Sequence, residues 1–365
     1  MNSNENTTRK RNLRSAYVRA PQFGLVLGAG VTAGSGVPTY PKLALRVLEL
    51  ASEEGGLSAP GEWVQEFVQR QRQLLREEDR KTVPPEEVVL FVRAQADGDE
   101  AFLRRLVKRA LYEHTPARRT VGKGAFSKKS TLDAILTFCA ARPDTVLAPV
   151  ATTRTAKPTK ECDIEANIKV GGILTTNYDN LVEGAFHTKY RRNLLKPVGR
   201  PSSQEAERGR RLIPVYHIHG YIGYREPDYP DAELETPDIV VAEDDYFEAF
   251  YDPLGFGNYI AMSFLRRFPC LFIGSAMTDK NLRRFLFHLA KDVSATPPHQ
   301  RKFAILKSSG SPEDELTDAI LLSYGVETIW IRGFDEIRDI LRGMYIALPG
   351  VYAADWEYLE NYTWS

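Results

Sequence analysis

The stretch Phe23-Gly24-Leu25-Val26-Leu27-Gly28-Ala29-Gly30 constrains this chain more than any other. A short apolar run stops at two glycines, and after Pro38 the spacing of Leu43, Val47, Leu48 and Leu50 fits a helix. The reading is a strand, a glycine turn, then a helix. Glycines at such a turn let the backbone approach a ligand closely and aim amide groups at a phosphate near the helix N-terminus. Gly28, Gly30 and Ala33 also satisfy the loose dinucleotide fingerprint, with alanine in its third place. An ordinary dehydrogenase needs, about 20 residues on, a second strand ending in an acid that holds the ribose. Here Leu43 to Ala51 stays helical and Glu49 lies within it, so that class is disfavoured.

Further apolar runs end in polar signatures. Val170 to Thr175 leads into Thr176-Asn177-Tyr178-Asp179-Asn180-Leu181, where helix capping explains Asp179 or Asn180 as readily as chemistry does. Leu212 to Ile218 delivers His217-Ile218-His219-Gly220. Strand alternation would put both histidines on one face, as a metal pair requires, but no acidic or thiol ligand at suitable spacing completes a site, and no metal is assigned. A histidine followed by glycine at a strand end suits general-base work on a close ligand. Phe268 to Ile273 ends in Gly274-Ser275-Ala276-Met277, then Thr278-Asp279 before the helix Leu282 to Lys291, for which Asp279 reads as the N-cap. Lys302 to Leu306 and Glu327 to Ile331 complete the strands. Alternation of this kind predicts an α/β, Rossmann-like fold with a central parallel sheet and a ligand crevice along its C-terminal edge.

Around that frame, residues 1–20 read as a flexible basic arm (Arg9, Lys10, Arg11, Arg14 and Arg19 against Glu5), residues 21–350 as the main domain, and residues 351–365 as a tail. A helical insertion is expected over about residues 55–140, and Thr115 to Lys129 and Thr152 to Lys160 read as surface loops. Glu243-Asp244-Asp245 reads as a solvated helix start. The stretch between Leu181 and Leu212, with Lys189, Arg191, Arg192, Lys196, Arg200, Arg208, Arg210 and Arg211, reads as an exposed loop that offers nucleic acid at most a weak basic contact. The tail carries Tyr352, Trp356, Tyr358, Tyr362 and Trp364; it either docks back onto the domain or anchors a partner. Lys plus Arg and Asp plus Glu both number 48, so no global field favours a polyanion. Three scattered cysteines, Cys139, Cys162 and Cys270, exclude a disulfide framework and point to a reducing cytoplasm. No apolar run is long enough for a membrane span, and no signal peptide is visible.

Taken together, the signatures resemble the sirtuin family. Gly28-Ala29-Gly30-Val31-Thr32-Ala33-Gly34-Ser35-Gly36-Val37-Pro38 looks like its glycine-rich loop, Thr175 to Leu181 like its T-x-N-x-D-x-L segment, His219-Gly220 like its catalytic His-Gly, and Gly274-Ser275 like its late ribose-binding turn. The protein deacylases of that family carry a four-cysteine zinc module after the His-Gly. Only Cys270 follows His219 here, so no structural zinc is expected. Pro41 replaces the family's arginine, and Ile239 to Tyr246 resembles the sirtuin-like NAD+ hydrolases of bacterial antiphage defence.

That resemblance implies an NAD+ glycohydrolase releasing nicotinamide and ADP-ribose, with NAD+ as substrate. Asn177 and His219 would be the catalytic pair, and Gly28, Ala29, Gly30, Thr32, Ser35, Pro38, Asp179, Gly274 and Ser275 would hold the substrate. Such an enzyme must be gated, and the length leaves no room for a fused sensor. Control is therefore expected from a homo-oligomer, a companion such as a HerA-type ATPase or an Argonaute-type protein, or both. Three other classes stay open: a protein deacylase or ADP-ribosyltransferase, a non-catalytic NAD-binding scaffold, and, more weakly, a nuclease.

Overall fold

The computed structural model describes residues 3–76, 82–113, 131–142, 164–190, 192–198, 211–223, 239–252, 254–292 and 301–362. In chain order the helices are α1 (Ser3–Arg19), α2 (Tyr40–Glu53), α3 (Gly61–Leu74), α4 (Pro85–Gln95), α5 (Glu100–Tyr112), α6 (Thr131–Cys139), α7 (Leu181–Tyr190), α8 (Glu243–Tyr251), α9 (Phe256–Arg267), α10 (Lys280–Asp292), α11 (Pro312–Ser323), α12 (Glu336–Tyr345) and α13 (Ala353–Glu360). The strands are β1 (Phe23–Leu27), β2 (Ala140–Ala141), β3 (Glu165–Ala166), β4 (Val170–Thr175), β5 (Leu195–Val198), β6 (Ile213–His217), β7 (Cys270–Ile273), β8 (Lys302–Lys307) and β9 (Val326–Ile331).

Seven strands form one sheet in the order β5-β6-β4-β1-β7-β8-β9, and every pairing in it is parallel. Strands covered on both faces read as continuous apolar runs, which is why FGLVL and CLFI were legible. Alternate residues feed opposite layers: Leu25, Leu27, Ile173 and Ile273 pack with α1, α6, α7, α12 and α13, while Val26, Leu174 and Phe272 pack with α9 and α10. A third core joins α2 to α5 with Tyr178, Ile222, Ile239 and Val241 and forms a helical cap over one end of the sheet. From β1 the chain crosses to β4, whereas from β7 it moves the other way to β8, so the sheet has its switch point between β1 and β7.

Several expectations are corrected. Residues 3–19, read as a mobile arm, form α1: Leu13 and Tyr17 are fully buried, and Arg9 makes a bidentate contact with Asp318 at 2.5 and 2.8 Å. Arg9 also donates to the Thr328 carbonyl at 2.9 Å, so its charge is spent inside the fold. The insertion is narrower than residues 55–140, because α6 packs on the sheet layer with α12 and α13, not in the cap. Within the basic stretch lies the unanticipated edge strand β5, whose Pro197 is tolerable where one side of the strand has no neighbour. Lys189 pairs with Asp133 at 2.7 Å, and Arg211 donates to the Val170 carbonyl at 2.9 Å. Both cations are consumed structurally; Arg191, Arg200, Arg208 and Arg210 lie outside the described residues, as do Cys162, the loops Thr115 to Lys129 and Thr152 to Lys160, and Trp364.

The aromatic tail docks back. Trp356 is fully buried against Tyr345, with ring centroids 5.6 Å apart, and Arg142 lies 4.9 Å over the Tyr358 ring. Cys139 and Cys270 are free, buried thiols. Among the described residues no helix is long and apolar enough to cross a membrane.

Removing one member of a buried ion pair leaves the other charge uncompensated. Arg9→Ala is therefore expected to lower stability by about 3 kcal/mol. A urea melt would check this, and an unchanged midpoint would place α1 outside the cooperative fold.

Candidate functional site

Four signature loops leave four adjacent strands, β6, β4, β1 and β7, at one edge of the sheet. With strands about 4.8 Å apart, the row spans about 14 Å, the scale of an extended nucleotide rather than of a single small group. The loops line a cleft of about 890 Å³, near the upper end of the roughly 300–1,000 Å³ usual for cofactor-sized ligands.

After β1 the chain turns through two short 3₁₀ segments, Ala29–Val31 and Ala33–Ser35, before α2 begins. The Gly30 N–H donates to the Gly274 carbonyl at 2.8 Å and the Gly28 N–H to that of Ile273 at 3.0 Å. Those two amides are thus engaged within the protein, not aimed at a ligand as expected. The requirement for glycine is steric: a Cβ on Gly28 or Gly30 would lie 2.7 or 2.8 Å from the Gly274 oxygen. Gly274 itself has φ +68°, and a Cβ there would meet the Val31 nitrogen at 2.6 Å.

Gly28, Ala29, Gly30, Pro38, Asn177, Asp179, His219, Gly274 and Ser275 all line the cleft. Thr32 and Ser35 do not. Thr32 is fully buried one layer behind, where its hydroxyl donates to Asp179 Oδ2 at 3.3 Å. Asp179 Oδ1 accepts from the Leu181 N–H at 3.1 Å, so the carboxylate both caps α7 and borders the cleft. Burial, reinforced by the neighbouring Glu183 charge, pushes its pKa up to about 6. Asn180 is bonded to Tyr221 and lies outside the cleft lining.

Asn177 is buried, with its Nδ2 at 3.4 Å from the Gly28 carbonyl and 3.5 Å from Thr32 Oγ1, and its Oδ1 has no partner among the described residues. A buried carboxamide oxygen left open beside a cleft is an acceptor waiting for a donor. His219 stands across the cleft with Nε2 at 3.6 Å from Asp279 Oδ2. Burial outweighs the pull of Asp279 and lowers the imidazole pKa below its ordinary value, leaving it neutral at physiological pH. Asp279 also caps α10, accepting from the Leu282 N–H at 2.7 Å, as its position before the helix suggested.

The two histidines are not a pair. β6 ends at His217, so strand alternation does not extend to His219, and His217 is engaged by Asn177 and Glu183 behind the site. Burial alone would depress its pKa, but the Glu183 charge and the two hydrogen bonds raise it. Asp244 and Asp245 are not simply solvated either: both pair with Arg93, and Asp245 Oδ2 accepts from the Val241 and Ala242 amides. Among the described residues no group of three His, Cys, Asp or Glu is arranged to hold a metal.

Sequence reasoning assigned no role to the aromatic wall. Tyr40, Tyr178 and Tyr246 line the cleft; the Tyr246 ring centroid is 5.5 Å from that of His219, and the Tyr178 hydroxyl is tied to the Val240 carbonyl at 2.6 Å. It also missed Asn281. This residue is only 5% exposed, and it lines both the cleft and a second cavity of about 420 Å³, which shares His219 with the first. Nothing in the run Thr278-Asp279-Lys280-Asn281 distinguished Asn281 from an ordinary first-turn residue.

The raised pKa of Asp179 carries a stability cost with a definite sign. The folded state holds the proton more tightly than the unfolded chain, so stability falls as pH rises from about 4 to about 6 and stays lower above that. Asp179→Asn, whose Oδ1 can still accept from Leu181 while its amide N–H donates to the Thr32 hydroxyl, is expected to be more stable than wild type by about 3 kcal/mol at pH 8 and equal to it near pH 3.5. Urea melts at the two pH values would check this; a destabilised variant at pH 8 contradicts it.

The family model of the SIR2-like domain matches residues 171–329, from β4 to β9. The matched region contains Asn177, Asp179, His219, Gly274 and Ser275 and leaves out the β1 glycine loop. No curated protein matches the chain. Residues 171–329 thus have the sequence character of a SIR2-like domain, and three of the four loops that meet at the cleft fall within it.

Proposed function

We propose that the chain is an NAD+ glycohydrolase that cleaves the bond between nicotinamide and ribose. The observation that carries the reading is the convergence of a neutral, buried imidazole, His219, and a buried carboxamide with an open oxygen, Asn177, in one dinucleotide-sized cleft at the switch point of a parallel sheet. The SIR2-like match and the sirtuin-type signatures support NAD+ as the substrate.

Cleavage moves the positive charge from the pyridinium ring to the ribose carbon as neutral nicotinamide leaves with the C–N bonding pair, so groups that favour charge at that carbon lower the barrier. Asp179 and Asp279 border the cleft, and Tyr40, Tyr178 and Tyr246 give it an aromatic lining against which the nicotinamide ring would pack. At the other end, Gly28, Ala29, Gly30, Gly274 and Ser275 line the cleft and would border the diphosphate and ribose of the substrate. Asn177 Oδ1 accepts a hydrogen bond from the attacking water or a ribose hydroxyl, and His219 Nε2 takes the released proton. Asp279 then faces the imidazolium that forms. On this reading the enzyme depletes NAD+ as an effector of antiphage defence. Its gate is self-assembly or a companion of the HerA-ATPase kind, because an ungated activity would harm its own cell.

The test is nicotinamide release from NAD+ by the purified chain, alone and with its genomic neighbour. Asn177→Ala and His219→Ala are each expected to lower kcat at least 100-fold, the scale of lost general-base or positioning catalysis of about 10²-fold or more. Because Asp179 and His219 both act deprotonated, kcat/KM should rise with pH through a limb that has an Asp179 part at about 6 and a His219 part below the ordinary imidazole value. Asp279→Asn keeps the helix cap but removes a charge that favours imidazolium, so it should move the His219 part of the limb to lower pH. Absence of turnover in both preparations, or full turnover in both alanine variants, excludes the reading.

A further inference from the structure

We infer that the buried pair His217–Glu183 is a positioning device that sets the aim of Asn177. The inference rests on the proposed role of Asn177 at the substrate. Its own basis is geometric.

His217 Nδ1 lies 2.8 Å from the Asn177 carbonyl oxygen, and its Nε2 lies 2.8 Å from Glu183 Oε1. A carbonyl has no proton to give, so Nδ1 must carry one and donate. Nε2 then either donates to a carboxylate or accepts from the protonated acid. In both cases one proton is shared between Nε2 and Oε1, and the pair as a whole is neutral, as a fully enclosed site requires. The ring cannot turn over without presenting a C–H to the Asn177 carbonyl. The Tyr221 ring, edge-on to the imidazole at 4.8 Å, closes the remaining side.

What the pair holds is the main chain of Asn177. The Asn177 N–H donates to Thr175 Oγ1 at 3.0 Å, and the carbonyl of the same residue is held by His217, so the backbone is gripped at both polar atoms. The side chain, in contrast, has only the two long Nδ2 contacts of 3.4 and 3.5 Å and an open Oδ1. Its direction is therefore inherited from the backbone. Glu183 sits in the first turn of α7, one turn beyond Asp179, so the pair also fixes the loop to the helix that follows it.

Stability does not account for this arrangement. Glu183 Oε2 is buried without a partner among the described residues, and an enclosed ion pair is commonly replaceable by apolar residues at no loss. A group that costs folding free energy and touches the main chain of a site residue is accounted for by placement.

The experiment compares Glu183→Ala with Glu183→Gln in the full-length chain. Glutamine can donate its amide N–H to Nε2 of a neutral ring and leave Nδ1 donating to Asn177, so it keeps the geometry without the shared proton. Glu183→Ala is expected to lower kcat by about 10- to 100-fold, the scale of a misplacement of about 1 Å, with KM for NAD+ within about threefold of wild type. Glu183→Gln should stay within about threefold in both constants. Wild-type kcat in Glu183→Ala, or an equal loss in Glu183→Gln, overturns the inference. Where the alanine variant fails to fold, Glu183→Leu, which fills the volume, takes its place.

A second readout does not depend on turnover. The side-chain amide resonances of Asn177, assigned by their loss in Asn177→Ala, should move in Glu183→Ala and keep their wild-type positions in Glu183→Gln. If the wild-type chain leaves NAD+ intact, the functional reading fails while these resonances still decide the placement. If they do not respond to Glu183→Ala, the placement itself is wrong.

Discussion

The architecture turns on one close approach, the contact of the β1 glycine loop with Gly274 at the end of β7. Two main chains meet there at a distance that no Cβ permits, and the bond from Gly30 to the Gly274 carbonyl joins the strands on either side of the switch point. Because β1 is also the neighbour of β4, and β4 of β6, fixing this junction brings the loops carrying Asn177 and His219 to the same edge. A side chain at any of the three glycines would force apart the two halves of the crevice.

Around the cleft, each buried polar group is set against a polar partner. His217 is set against Glu183, His219 against Asp279, and Asp179 is held by a backbone amide and a hydroxyl. The two histidines respond to burial in opposite ways because their partners stand at different distances, 2.8 Å against 3.6 Å. The closer pair keeps its proton, and the more distant one leaves a neutral base facing the cavity. Two residues of the same type, two positions apart, thus acquire different duties from their surroundings alone.

The sheet was legible because its central strands are apolar on both faces and each stops at a glycine or polar turn, as at Gly28, Thr176 and Gly274. β5 escaped because Leu195 to Val198 is short, contains Lys196 and Pro197, and lies in a basic setting that reads as loop. α1 escaped for a related reason: a mostly polar segment is held by two apolar residues, Leu13 and Tyr17, and by an arginine whose acidic partner lies 309 residues away. Of the site, the residues at strand ends were identifiable from order and spacing. Thr32 and Ser35, placed by the same motif, fall behind the surface because the 3₁₀ turns rotate them inward. Tyr40, Tyr246 and Asn281 reach the cleft only through tertiary packing of α2, α8 and α10, which no local pattern announces.

The helical cap does more than cover one end of the sheet. Its core contains Tyr178, which sits between Asn177 and Asp179, together with Ile222, Ile239 and Val241. The cap helices α2 to α5 and the loop that carries Asn177 and Asp179 therefore share one apolar core through the Tyr178 ring, so a substitution that repacks that core bears on where the two polar side chains beside Tyr178 stand.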